Sequence, residues 1–163
     1  MCNPTMWTTR YLDTATARLG WDLEEAPDGD LLVVTQAGRF VIANTAPHDP
    51  EFLHVYALYA APSEGDRAQL LEVANEVTLR AKGVSVSLLQ RTTSVVFAHQ
   101  GLVGAPDSLP TADQLVAALP RVQRMLSHAV SLWFEKLDAA GDAAVLAGIE
   151  AATRAAHADG SDG

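Results

Sequence analysis

The sequence predicts an α+β domain: an antiparallel five-stranded sheet with element order α-β-β-β-α-β-β-α, followed by an alanine-rich C-terminal helix. Three observations point there. Apolar residues recur at helical spacing near the start, in the middle and near the end of the chain. Short runs rich in Val, Ile, Phe and Tyr lie between them, grouped three and then two rather than alternating singly with helices. Gly, Pro, Asp and Asn punctuate the joins.

The first helix is expected from about Thr5 to Leu19, where Met6, Leu12, Ala15 and Leu19 share mostly helical spacing and Gly20 follows as a stop. Trp21 then leads into DLEEAPDGD, an acidic connector whose Pro27, Asp28 and Gly29 form turns. Strands are expected at Leu31 to Thr35, Arg39 to Asn44 and Phe52 to Ala61, with Gln36, Ala37 and Gly38 as a tight reversal. Ser63, Glu64 and Asp66 resemble a helix start, and Leu70, Leu71, Ala74, Val77 and Ala81 make one stripe before Gly83. Val84, Val86 and Leu88 alternate with Ser85 and Ser87, a half-buried strand that should pair as a hairpin with Ser94 to Gln100.

Thr111 and Gln114 have the spacing of a capping box at the head of the longest helix. Along it Leu115, Leu119, Val122, Leu126, Ala129, Trp133 and Leu137 recur every three or four residues, with Pro120 predicting a kink or a fresh start. Residues 1–138 thus form the main domain, residues 139–158 an appended peripheral helix with little to bury, and residues 159–163 a disordered tail.

A chain of 163 residues, 48% of them hydrophobic, can bury roughly two-thirds of its unfolded surface in one core. Cys2 is the single cysteine, which excludes an intramolecular disulfide and leaves a thiolate zinc site short of its second sulfur. A cytoplasmic setting is expected, without export or membrane insertion, because no basic segment leads into a long apolar run. The net charge of −9 and the scattered cations argue against nucleic acid as a partner; Arg121 and Arg124 read as a solvated helix face. An acidic balance favours neutral or basic partners.

LLVVTQAGRFVIANT as an opening hairpin, FLHVYALYA as a third strand, LLEVANEVTLRAKGVSVSLL with Asn75, and TADQLVAALPRVQRMLSHAVSLWFEKL as a final helix together resemble the YbjN family of bacterial domains. That family is similar in fold to the small chaperones of type III secretion systems. The resemblance spans roughly Thr5 to Asp138; the alanine-rich segment beyond departs from it. It implies a non-enzymatic role, either a chaperone-like homodimer that holds a segment of another protein or a regulatory adaptor.

No catalytic signature competes with this. His48, His54, His99, His128 and His157 show no HxxH or HExxH spacing. Asp28, Gly29 and Asp30 lack the acidic periodicity of a calcium loop and read as a turn. Gly101 to Gly104 form a GxxG that reads as a loop. There is no GxGxxG, P-loop or GxSxG. Cys2 has no local cation to activate it. The expectation is therefore no catalytic residue, no metal and no cofactor; the alternative is a small-ligand protein or enzyme with a site of dispersed residues, for example around His99 and His128.

The third strand is apolar on both faces. Val55, Ala57 and Tyr59 point one way, and Phe52, His54, Tyr56, Leu58 and Ala60 the other. Either helices cover both faces of the sheet or one face is a dimer or partner surface; on the second reading Val55 and Ala57 are assigned to the core, and His54, Tyr56 and Leu58 to a partner-binding or dimer surface. Trp7, Trp21 and Trp133 are expected in the core.

Overall fold

In a computed structural model the chain is described over residues 4–36, 38–61, 67–89 and 94–159, with side chains to residue 140. Helix α1 (Pro4–Thr14) continues into a π-helical turn, Ala15–Leu19, that Gly20 ends in the left-handed region at φ 67°. Of the predicted stripe, Ala15 is buried and Leu12 and Leu19 pack against the core, but the centre of the buried face is shifted. Trp7, Tyr11 and Ala15, spaced by four, are fully buried, whereas Met6 is 59% exposed. The Trp7 and Tyr11 rings stack at 4.3 Å and anchor the helix.

The sheet has six strands rather than five, in the order β1-β2-β3-β4-β6-β5, every neighbouring pair antiparallel. The added strand is β1 (Asp22–Glu25), half of the predicted acidic connector, which pairs with β2 (Leu31–Thr35). Ladder hydrogen bonds come from the backbone, so a strand needs no apolar alternation when it lies at an edge, where charged side chains also discourage further pairing. Pro27 to Asp30 form the turn the sequence predicts: Gly29 has φ 87°, and the Asp30 amide donates to Asp28 Oδ1 at 3.2 Å.

Strands β3 (Gly38–Ile42), β4 (Phe52–Ala60), β5 (Ser85–Leu88) and β6 (Ser94–Leu102) fall within a few residues of their predicted positions. β4 and β6 pair over nine residues, from Phe52 with Leu102 to Ala60 with Ser94. β5 and β6 form the expected hairpin. Gly101 and Leu102 close β6 instead of starting a loop, while the Val103 and Gly104 amides donate to the Glu51 carbonyl. A Cβ on Gly104 would come within 2.6 Å of the Ser108 carbonyl oxygen, so this crossing requires glycine.

Helix α2 (Arg67–Arg80) buries Leu70, Val73, Ala74 and Val77. Leu71, placed on the buried stripe by sequence, is 42% exposed, and Val73 takes its place. The proposed start at Ser63, Glu64 and Asp66 lies outside the described residues, as do Cys2 and the tail after Asp159.

Helix α3 runs without a break from Ala112 to Asp159. Pro120 causes no fresh start, and the segment expected as a separate appended helix continues α3 through Gly141. A glycine costs a helix only about 1 kcal/mol, which alanine-rich flanks offset. The predicted capping box is present: the Thr111 amide donates to Gln114 Oε1 at 2.8 Å and the Gln114 amide to Thr111 Oγ1 at 3.2 Å. Leu115, Leu119, Val122, Leu126, Ala129 and Trp133 are all buried, with Leu137 packed beside them.

The helices lie on one sheet face, against Leu31 and Val33 of β2, Phe40 and Ile42 of β3, Leu53, Val55 and Ala57 of β4, Val86 of β5, and Val95 and Phe97 of β6. Among the described residues no helix is long and apolar enough to cross a membrane. Among the described side chains, Ala140 is the last of α3 packed against the core. Residues 142–163 carry few large apolar side chains, Val145, Leu146 and Ile149, so deleting them is expected to leave a cooperative thermal transition within a few degrees of the full chain; loss of cooperativity would make that segment integral to the fold.

Candidate protein-binding surface

Because side chains alternate along a strand, residues one place out of phase with the core emerge on the opposite sheet face. On β4 these are Phe52, His54, Tyr56, Leu58 and Ala60; Val55 is fully buried and Ala57 nearly so, while Leu58 is 53% exposed. The predicted division of β4 into a core set and an outer set holds.

The neighbouring strands extend the outer set. Leu32 opposes Val41, Val41 opposes Tyr56, and Tyr56 opposes Ala98, an apolar row across β2, β3, β4 and β6. Beside it Leu58 opposes Val96, and at the far end Phe52 opposes Leu102, which is 74% exposed. Val34 adds a further exposed apolar side chain on β2. On one flank β1 contributes Asp22 opposite Val34 and Glu24 opposite Leu32. On the other flank Ser85 and Ser87 are exposed on β5.

A polar cluster fixes one end of this surface. The Tyr56 hydroxyl donates to Asp30 Oδ2 at 3.3 Å, and Asp30 Oδ1 accepts from the Asn44 amide at 2.8 Å. Partial burial raises the Tyr56 phenol above its ordinary value, and the charge of Asp30 and its hydrogen bond add to the effect. His54 lies against Tyr56, with ring centroids 5.6 Å apart, and its Nε2 is 3.4 Å from Gln100 Nε2. Partial burial holds the His54 imidazole below its usual value, opposed by the nearby Asp30 carboxylate. The Tyr56 ring is thus tethered through its hydroxyl to Asp30.

Of the residues brought together on this outer face, sequence reasoning named His54, Tyr56 and Leu58 as a candidate surface and did not name Leu32, Val34, Val41, Val96, Ala98, Leu102 or Asp30. LLVVT and VVFA carry the signal, since each is apolar at consecutive positions, as strands covered on both faces are.

His157 lies beyond the described side chains. His48 and His128 are exposed, and His99 is engaged through Nδ1 with the Gly83 carbonyl oxygen at 2.7 Å. Among the described residues no three His, Cys, Asp or Glu side chains form a group able to hold a metal ion. The expected core tryptophans behave differently: Trp7 and Trp133 are fully buried, whereas Trp21 is half-buried with its ring edge on Phe40 at 5.5 Å.

No family model and no curated protein matches the sequence. Among solved structures, the crystal structure of YbjN from E. coli, a candidate transcription regulator, superposes with a TM-score of 0.56 at 12% identity, covering 73% of this chain and 85% of YbjN. The chain has a YbjN-like fold. A chain of the HopA1–SchA chaperone–effector complex superposes with a TM-score of 0.46 at 14% identity, over 77% of this chain and 95% of that one. The likeness to YbjN is one of architecture, and function rests on the particular surface. In this YbjN-like chain the helices occupy one face of the sheet, and the apolar rows through Tyr56 and Leu58 occupy the face they leave open.

Proposed function

We propose that this chain is a non-enzymatic, chaperone-like protein-binding domain whose open sheet face holds a segment of another protein. The observation that carries the reading is the apolar surface through Leu32, Val41, Tyr56, Leu58 and Val96, continuous across four strands, with Leu58 exposed on it and Leu102 exposed beyond the His54–Gln100 pair. Asp22 and Glu24 on its flank, within a chain of net charge −9, select a segment that is apolar with basic residues beside it. A homodimer, implied by the family resemblance, is the second occupant this face could take.

The test uses two outward-facing substitutions, Tyr56→Asp and Leu58→Asp. Both variants are expected to melt within a few degrees of the parent, because neither adds a charge to the core. An extended peptide of alternating Leu and Lys, followed by fluorescence anisotropy, should bind the parent and lose about tenfold in affinity for either variant, the scale of one central apolar contact. A Leu and Glu peptide should bind more weakly throughout. Equal binding to parent and variants would remove the reading. Light scattering separates the two occupants: a dimer that Leu58→Asp dissociates assigns the face to self-association.

A further inference from the structure

On the helical side of the molecule, away from the open sheet face, Lys82, Arg121, Arg124, Met125 and His128 line a pocket of about 260 Å³. Four of these side chains come from one stripe of α3, since positions 121, 124, 125 and 128 share a helix face. The fifth comes from the turn after α2. Glu76 meets Lys136 at 2.8 Å further along, so α2 and α3 run antiparallel and bring the end of α2 beside the first half of α3.

Gly83 makes the approach possible. It has φ 74°, a Cβ there would lie 3.2 Å from Met125 Cε, and its carbonyl oxygen is held by His99 Nδ1 at 2.7 Å. The turn that carries Lys82 is therefore pressed close to α3 and fixed from β6.

The charge in this pocket is uncompensated. Elsewhere Arg18 pairs with Asp113 and both Arg80 and Lys136 pair with Glu76, but among the described residues Lys82, Arg121 and Arg124 have no carboxylate partner. In a chain of net charge −9, three cations and a histidine converging without an acid form a local reversal of the molecular field. Arginine guanidinium groups present forked donors that match the oxygens of phosphate.

From this geometry we propose that the pocket binds a small, multiply charged oxyanion, the phosphate groups of a phosphorylated small molecule. Its volume is just below the roughly 300–1,000 Å³ of sites for drug-sized ligands, which suits an anion no larger than pyrophosphate with its waters. A nucleic-acid strand is disfavoured because its binding draws on many phosphate contacts along a basic stripe, whereas this pocket offers three cations in a chain of net charge −9.

The experiment is a thermal melt and calorimetric titration of the full chain with inorganic pyrophosphate, against sodium chloride at matched ionic strength. The parent should gain stability with pyrophosphate beyond the salt control, as expected for a ligand of the native state. Arg121→Gln with Arg124→Gln, both exposed, should melt like the parent without ligand and bind pyrophosphate about tenfold more weakly, since two charge-assisted contacts are lost. Arg39→Gln with Arg67→Gln changes the net charge equally at other exposed positions and should bind like the parent. No stabilisation of the parent, undiminished binding by the pocket variant, or equal loss in both double variants would each overturn the proposal. So would a single-stranded oligonucleotide that binds more tightly than pyrophosphate, which would make nucleic acid the ligand.

Discussion

Val55→Asp is expected to abolish the folded state. Val55 has no exposed surface, opposes Ile42 on β3, and sits in the helix-covered core. Its opposite neighbour on β6 is His99, whose ring is already held by the Gly83 carbonyl, so a carboxylate at position 55 has no ready counter-charge. Burying an unpaired polar group costs about 2–7 kcal/mol and an ionised one more, against a total stability of about 5–15 kcal/mol for a domain. The variant should show no cooperative melt, and Val55→Ala should retain one at lower temperature. A folded Val55→Asp protein that melts near the parent would mean that this side of β4 is not the core. The pair of outcomes at positions 55 and 58, three residues apart on one strand, also tests which sheet face is available to a partner.

Trp133→Ala should be the most damaging truncation on α3. The side chain is fully buried, its ring meets Phe97 edge-on at 6.0 Å, and Phe97 in turn meets Tyr59 edge-on at 5.8 Å. These contacts tie α3 to β6 and β4. Removing a buried tryptophan typically costs about 3–5 kcal/mol, which for a chain of this size lowers Tm by roughly 6–20 °C. Trp133→Phe should cost much less. The indole Nε1 is buried with no hydrogen-bond partner among the described residues, so phenylalanine keeps an aromatic contact while removing an unpaired donor. Equal losses for the two substitutions would show that ring size, and not the aromatic contact, decides the packing.

What could be read in advance follows from how strongly each segment repeats. α3 has one consistent apolar phase, so its buried face emerged whole from Leu115 to Trp133. In α1 the stripe through Met6, Leu12, Ala15 and Leu19 captured Ala15 and the partly buried Leu12 and Leu19 but not Trp7 and Tyr11, the fully buried rings at its centre; the π-helical turn shifts the phase before Gly20. β1 was hidden because Asp22, Glu24 and Glu25 have side chains typical of a loop, while its pairing is a matter of backbone. On the candidate surface, β4 announced itself by being apolar at every position but His54. The contribution of β2, β3 and β6 depends on register, which local pattern does not supply. The basic pocket joins Lys82 to Arg121 and Arg124 across the whole β5–β6 hairpin, a proximity created only by the packing of α2 against α3.

The strand order has a consequence for synthesis. β6 lies between β4 and β5, so β4 leaves the ribosome with one edge unpaired and remains so until residues 61–93 and then β6 have followed. At about 5–20 residues per second, making that intervening stretch takes roughly two to seven seconds. Throughout that interval FLHVYALYA presents a long, charge-poor strand that is apolar on both sides, the composition most prone to pairing with a neighbouring copy. The nine-residue ladder between β4 and β6 therefore also closes the principal aggregation hazard of the nascent chain. Changes that weaken the β5–β6 hairpin should reduce soluble yield more than their effect on the stability of the finished protein.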